Sequence, residues 1–221
     1  MTEAAVIRVA ITDDQELVRM GLRMMLEAQP DIDVVAEAGD GQAAVELAEA
    51  GGLDIMLMDV RMPGLDGIAA TDRITSRGDG PKILVLTTFD LDEYAFGALR
   101  AGASGFLLKD ARPPELLGAI RAVHSGDAAL APRVTARMIE QFVSAPERTA
   151  TDDERLAALT PREREILIAI GAGLTNDELA EKFFLSISTV KTHIGRILQK
   201  LEARDRVQLV ILAYEAGLVG R

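Results

Sequence analysis

The stretch "MLMDVRMPGLDG" (residues 56–67) decides how the first half of this chain folds. An apolar run ends in Asp59 and breaks at once into Met62-Pro63-Gly64. Aspartate is depleted in strands, so at a strand end it is either a turn-maker or a working carboxylate. The loop after it turns the chain away and leaves the backbone beside Asp59 free to coordinate. Outward from this stretch, short β-rich runs alternate with helical patterns. The strand candidates are "VIRVAIT" (6–12), "DVVAEA" (33–38), "LDIMLMD" (53–59), "KILVLTT" (82–88) and "GFLL" (105–108). Leu17, Val18, Gly21, Leu22, Met25 and Leu26 follow the 3–4 spacing of a buried helix face. Further helices are expected near 42–50, 67–76, 92–101 and 113–124. Five βα units imply an α/β domain with a doubly wound, five-stranded parallel sheet. In such sheets the site lies outside the carboxyl ends of the strands. Asp13, Asp14, Asp59, Thr87 and Lys109 all fall at or just after those ends.

That co-location has chemical consequences. Asp13 and Asp14 follow the first strand and Asp59 ends a neighbouring one, which gathers three carboxylates. Close anions repel, so the arrangement needs a cation. Lys109 supplies one charge, and a hard divalent ion such as Mg²⁺, which suits oxygen ligands, supplies more. With both, one carboxylate could attack a phosphoryl group and become an acyl phosphate. Thr87 could hydrogen-bond the new phosphoryl oxygens. The bland alternative is a set of strand-end caps and surface charges.

Composition narrows the field. The 221 residues carry no cysteine and only two histidines, so a disulfide framework, a thiolate metal site and a thiol nucleophile are excluded, and a histidine-based metal site is not expected. The start of the chain lacks the basic stretch and apolar core of a signal peptide. No uncharged apolar run approaches the ~18 residues of a membrane span. A cytoplasmic protein is therefore expected. The net charge of −11 is unevenly spread: residues 1–131 hold 11 basic and 22 acidic side chains, whereas residues 132–221 hold 13 of each. Within 182–206, Lys182, Lys191, Arg196, Lys200, Arg204 and Arg206 face only Glu202 and Asp205. An acidic half beside a locally basic one suggests two domains with different partners.

The expected domains are 1–127, a linker at 128–155 and a small all-α domain at 156–221. In the linker "RVTARMIEQFV" could be helical, while "SAPERTATDDERLAA" reads as polar connection. In the last part "TPRE" (160–163) has threonine at an N-cap, proline at the first helical position and glutamate three residues on. "TNDE" (175–178) is a second capping box. Ser186 or Ser188 caps a third helix, "TVKTHIGRILQKL", and a fourth follows at about 205–216. Two short helices leading into a basic one suggest a helix-turn-helix. On the third helix Val190, Ile194, Ile197 and Leu201 form an apolar stripe. Lys191, Thr192, Gly195, Arg196 and Gln199 occupy the other side. Gly195 keeps that side low, so the helix can approach a surface closely.

These residues carry a family resemblance. "ITDDQELVRMGL", "MDVRMPGLDG", "VLTTFD" and "GFLLKD" together resemble the receiver domain of two-component response regulators, a flavodoxin-like fold. The stretch 159–201 resembles the LuxR/NarL-type helix-turn-helix nearly end to end. The resemblance implies that Asp59 accepts a phosphoryl group from a sensor histidine kinase. It implies Asp14, Asp59 and the Arg61 carbonyl as Mg²⁺ ligands, with Asp13 supporting through water. Thr87 and Phe106 match the switch pair, and Lys109 matches the phosphate-binding lysine. In the head, Lys191, Thr192 and Gly195 match base-edge contacts to double-stranded promoter DNA, and Thr189, His193 and Arg196 match phosphate contacts. Gly195 cannot read a base through a side chain. The last helix resembles the one that dimerises such heads, with Val207, Val210, Ile211 and Tyr214 as its face; alternatively these four close the domain core. A homodimer is expected on phosphorylation.

Two departures stand out. Many receivers have proline after the lysine, where this chain has Asp110, so the geometry of the Lys109–Asp110 peptide is open. Phe106 lacks the tyrosine hydroxyl of some receivers, which excludes a switch that needs that hydroxyl but not a packing switch. The implied function is a transcription factor controlled by phosphorylation, not an enzyme. An aspartyl-phosphate hydrolase of the haloacid-dehalogenase type wants a second Asp two residues after the nucleophile, and that position is Arg61. A regulator that ignores phosphorylation and uses its receiver only to dimerise is the other alternative.

Overall fold

A computed structural model describes residues 6–87, 97–126, 129–130 and 156–219. The chain divides into two compact units, Met1–Ala131 and Pro132–Arg221. The first contains β1 (Ile7–Thr12), α1 (Glu16–Glu27), β2 (Ile32–Ala38), α2 (Gly41–Ala50), β3 (Ile55–Asp59), α3 (Gly67–Thr75), β4 (Lys82–Thr87), β5 (Gly105–Leu108), α4 (Pro113–His124) and β6 (Ala129–Leu130). Residues 97–100 are also helical. The strands are all parallel, in the order β2-β1-β3-β4-β5-β6. Order reverses beside β1, so the carboxyl ends of β1 and β3 flank the crevice where such sheets place a site.

Both faces of the sheet are buried, as βα crossovers require. Ile7, Val9, Ile11, Ile55, Leu57, Leu84 and Leu86 form one face, covered by Leu26 of α1 and by Leu116, Ile120 and Val123 of α4. The alternate residues Met56, Met58, Ile83, Val85 and Phe106, also buried, point the other way. All five expected βα strands are present within two residues of their sequence bounds over the described residues. The two-residue β6, paired with β5, was not expected: nothing in "DAAL" distinguishes a sheet edge from a loop. The expected helix at 133–143 and residues 144–155 of the polar connection after it lie outside the described residues, as does the start of the helix near 92; Leu156, quoted at the end of that connection, is instead helical and buried.

One expectation about α1 is corrected. Leu17, read as part of a buried face, is 79% exposed, and Gly21 is exposed as well. Leu22 and Met25 pack partly against the core and Leu26 is fully buried. The helix also carries exposed Met20 and Met24, so apolar residues lie on two faces and the 3–4 spacing alone could not choose between them.

The second unit contains α5 (Pro161–Gly171), α6 (Asn176–Phe183), α7 (Ile187–Leu201) and α8 (Arg206–Glu215). Both capping boxes form, at Thr160/Glu163 and Thr175/Glu178. Of the two serines, Ser186 is the N-cap of α7, accepting from the Thr189 amide at 3.2 Å. Glu163 has a second task. Its carboxylate takes hydrogen bonds from the Thr160 amide at 2.8 Å and from Lys200 at 2.6 Å, tying the start of α5 to the end of α7. No helix among the described residues is long and apolar enough to cross a membrane.

Candidate functional site

Register places four of the expected site residues in one row across the sheet. Thr12 pairs with Met58, Asp59 with Leu86, and Thr87 with Leu108. Asp13, Asp59, Thr87 and Lys109 therefore emerge side by side at the carboxyl ends of β1, β3, β4 and β5. Asp13 is 1% exposed and Asp59 5%, while Asp14 is open to solvent. Carboxylate oxygens of all three lie within 4.8 Å of one another. Lys109 reaches across two strands, placing its ammonium 2.5 Å from Asp13 Oδ2 and 2.8 Å from Asp59 Oδ2.

Burial pushes the Asp59 carboxyl above the usual carboxylate range, against the pull of Lys109 and of the Arg61 backbone N–H that donates to it. Burial also works against the charge on Lys109, but its hydrogen bonds to Asp13 and Asp59 outweigh this and hold its pKa above the ordinary value. One ammonium does not balance three carboxylates. The donors are all carboxylate oxygens, with no histidine or thiolate, and Asp14 opens the cluster to solvent. That set suits a hard divalent cation. Beside it is an open cleft of about 360 Å³ lined by Asp14, Arg61, Met62, Pro63 and Asp66 among others. Thr87 and Phe106 are buried on adjacent strands, Phe106 completely. No peptide bond among the described residues is cis, so Lys109–Asp110 is trans.

The loop between Asp59 and α3 is shaped by two glycines. Gly64 has φ +76°, a conformation side chains disfavour. Gly67 packs directly on the strand end: a Cβ there would lie 1.9 Å from the Asp59 carbonyl oxygen. Sequence reasoning treated Gly67 only as the start of a helix. A glycine at the first helical position, where a side chain is ordinarily tolerated, was the available signal.

In the second unit, α7 divides as its sequence suggested. Val190, Ile194, Ile197 and Leu201 are buried. Lys191, Thr192, Gly195 and Arg196 are exposed, and Thr189 and His193 are half-buried. No atom lies within 4 Å of where a Gly195 Cβ would stand, so the face is bare there. The Thr192 hydroxyl donates to the Ser188 carbonyl at 2.9 Å, and the Thr189 hydroxyl bonds that of Ser186 at 2.8 Å. His193 Nδ1 is buried without a hydrogen-bond partner, which leaves Nε2 as the nitrogen that can serve an outside acceptor. Val207, Val210, Ile211 and Tyr214 are all buried, at 0%, 5%, 5% and 8% exposure. The four are thus placed as core residues rather than as an open face for a second copy.

Residues 9–121 match the family described as response regulator receiver domain, and residues 157–213 match the bacterial regulatory proteins of the luxR family. The chain is a response regulator of the NarL/LuxR type. It is 47% identical over 213 residues to the uncharacterized transcriptional regulatory protein YxjL of Bacillus subtilis (strain 168), covering 96% of this chain and 97% of that one. The response regulator ChrA of a heme-sensing two-component system has 39% identity to it, with a TM-score of 0.54 over 97% of this chain and all of that one. A structure of two RcsB dimers bound to two parallel DNAs has 25% identity and a TM-score of 0.55, over 94% and 97% of the two chains. Family membership extends the geometry to both halves. This regulator combines a receiver with a DNA-binding head, and its relatives are transcriptional regulators rather than enzymes.

Proposed function

We propose that Asp59 is the phosphoacceptor of this regulator and that a sensor histidine kinase is the donor. The observation that carries this is the row of Asp13, Asp59 and Lys109 at the strand ends, with Asp14 beside it. A carboxylate oxygen of Asp59 attacks the phosphorus, the bond from phosphorus to the donor's imidazole nitrogen breaks, and that nitrogen keeps the electron pair. Asp13, Asp14, Asp59 and the Arg61 carbonyl are the residues that would hold Mg²⁺, which supplies positive charge to the transferring oxygens. Lys109 steadies the phosphoryl group from the far side. The roughly two negative charges that arrive draw the Thr87 hydroxyl inward, and the Phe106 ring fills the space it leaves. The face built by the fourth and fifth βα units then changes shape, which releases the head, promotes a homodimer, or both.

In the head, Lys191 and Thr192 read base edges in the major groove beside the bare Gly195. Thr189, His193 and Arg196 contact phosphates. A dimer would occupy paired half-sites; the RcsB dimers on DNA support that arrangement. Any part of Val207, Val210, Ile211 and Tyr214 in dimerisation would require their present burial to be exchanged for a partner's surface. The domain limits that go with this reading are 1–127 for the receiver, 128–155 for the linker and 156–221 for the head. The regulator works in the cytoplasm, where kinase and promoter are both reached.

Intact mass after incubation with Mg²⁺ and acetyl phosphate tests the reading. One added phosphoryl group is expected in the parent and none in Asp59→Asn, followed by tighter DNA binding of the modified parent. Equal DNA binding by the phosphorylated parent and Asp59→Asn would overturn the switch and favour a receiver that serves only to dimerise.

A further inference from the structure

Asp13 has every polar atom engaged. Its amide donates to the Ala38 carbonyl at 3.1 Å. Its Oδ1 accepts from the Gln15 amide at 3.0 Å, and Oδ2 pairs with Lys109. Its carbonyl accepts from Arg19 Nη1 at 2.7 Å. That carbonyl belongs to the peptide joining Asp13 to Asp14, so its direction fixes where the Asp14 side chain starts. Asp14 is the exposed member of the carboxylate cluster. The guanidinium is itself oriented, because Arg19 Nε donates to Glu37 on β2 at 3.2 Å, and Arg23 Nε also donates to that carboxylate at 2.5 Å. Arg19 is largely shielded, with 18% of its side chain exposed.

We propose that Arg19 is a positioning residue of the acidic site: it holds the peptide plane between Asp13 and Asp14 and so aims the Asp14 carboxylate into the cluster that takes the divalent cation. The inference rests on the reading of that cluster as a cation site. An arginine suits the task because its fork spans two acceptors at fixed geometry, one on the strand end and one on the neighbouring strand, which a single ammonium cannot do. Outer groups that orient metal ligands commonly govern affinity as strongly as 10–100-fold.

Charge and geometry predict opposite signs here. As a bare cation near a cation site, Arg19 would oppose the metal, and its removal would tighten binding. Glu37 already offsets that charge, which leaves the held peptide as the larger effect. A role confined to tying α1 to β2 would lower stability and leave metal affinity unchanged.

Calorimetric titration of the full chain with MgCl₂ separates these outcomes. Arg19→Gln is expected to weaken Mg²⁺ binding about tenfold, and Arg19→Lys to fall between it and the parent. Urea unfolding of each variant reports the structural share separately, and Arg19→Lys decides if Arg19→Gln does not fold. Mg²⁺ binding by the folded variants as tight as the parent's, or tighter, overturns the inference. If the parent binds no Mg²⁺, the reading of the cluster falls and the inference with it. A parent that binds Mg²⁺ beside variants that match it removes the inference alone.

Discussion

Gly67→Ala should damage the phosphoacceptor site through packing alone. The new Cβ would lie 1.9 Å from the Asp59 carbonyl oxygen and 2.9 Å from its carbon, where real Cβ atoms essentially never come within 3.0 Å. Both obstacles are backbone, so the strand end and the start of α3 must part by about an ångström. Overpacking of this kind costs about 1–3 kcal/mol. With a urea slope of about 1–3 kcal/mol per molar, the unfolding midpoint falls by roughly 1 M. The chemical effect should be larger. A displacement of about 1 Å at a reacting group costs on the order of 10²-fold in rate, and Asp59 is held at 2.8 Å from Lys109 by the strand end that moves. Gly64→Ala is the control. It meets nothing within 4 Å, and its φ of +76° charges it only the strain of a left-handed residue, about 1–2 kcal/mol. The assay is phosphoryl uptake from acetyl phosphate, followed by intact mass, beside urea unfolding. Gly67→Ala should lose uptake well beyond its loss of stability, and Gly64→Ala should lose stability while keeping uptake. Parent-like uptake by folded Gly67→Ala, or equal loss in both variants, would refute the argument.

Three further outcomes are expected. Lys200 first, then the Thr160 hydrogen bonds, hold the Glu163 carboxyl down at about 2, against 4.5 ordinarily. A depressed acid contributes stability that is present above its unfolded pKa and lost as pH falls through the folded one, so the head should weaken between about pH 4.5 and 2. Glu163→Gln should remove about 1–2 kcal/mol at neutral pH, after allowance for the part-exposed Lys200; a flat acid limb in the parent's thermal unfolding would contradict this. Arg196→Ala should lower the salt slope of DNA binding by about one, whereas Lys191→Ala should also relax base preference; an unchanged slope for Arg196→Ala would remove it from the phosphate contacts. Ile211→Ala should cost the head about 2–5 kcal/mol as a buried truncation. Unchanged stability with a weakened dimer would instead return that residue to an interface.

The receiver was legible because its chemistry is local to strand ends. Asp59, Asp13 and Lys109 each close an apolar run, and a parallel sheet aligns such ends whatever the details of packing. The face of α7 was legible for a related reason: its apolar stripe is unbroken, so one period fits. On α1 the same method misplaced Leu17, because Met20 and Met24 make a second apolar side and sequence gives no way to rank two sides. Arg19 and the Glu163–Lys200 pair were not legible at all. Each joins residues 6 to 37 positions apart through side-chain geometry, and a lone charged residue on a helix reads as a solvated one. Gly67 was overlooked because its role lies in what a missing atom permits.

Charge accounting then links the site's construction to its use as a switch. Three carboxylates and one lysine leave an excess of two negative charges when all are ionised. Burial raises the Asp59 carboxyl and makes that excess costly, so the cluster favours a compact dication over a second side-chain ammonium. Without that cation, an incoming phosphoryl group would meet repulsion in a site that is already anionic. With it, the group adds about two negative charges to a nearly neutral centre, and the nearest unengaged donors must respond. Lys109 is already committed to Asp13 and Asp59 at 2.5 and 2.8 Å. Among the described residues, the remaining neighbour in the strand-end row is the Thr87 hydroxyl. Thr87 backs onto β5, where its carbonyl accepts from the Lys109 amide at 2.7 Å, and Phe106 lies on that same strand. The strand that carries Phe106 thus meets the acidic row at two points, the Lys109 ammonium on Asp13 and Asp59 and the Lys109 amide on the Thr87 carbonyl.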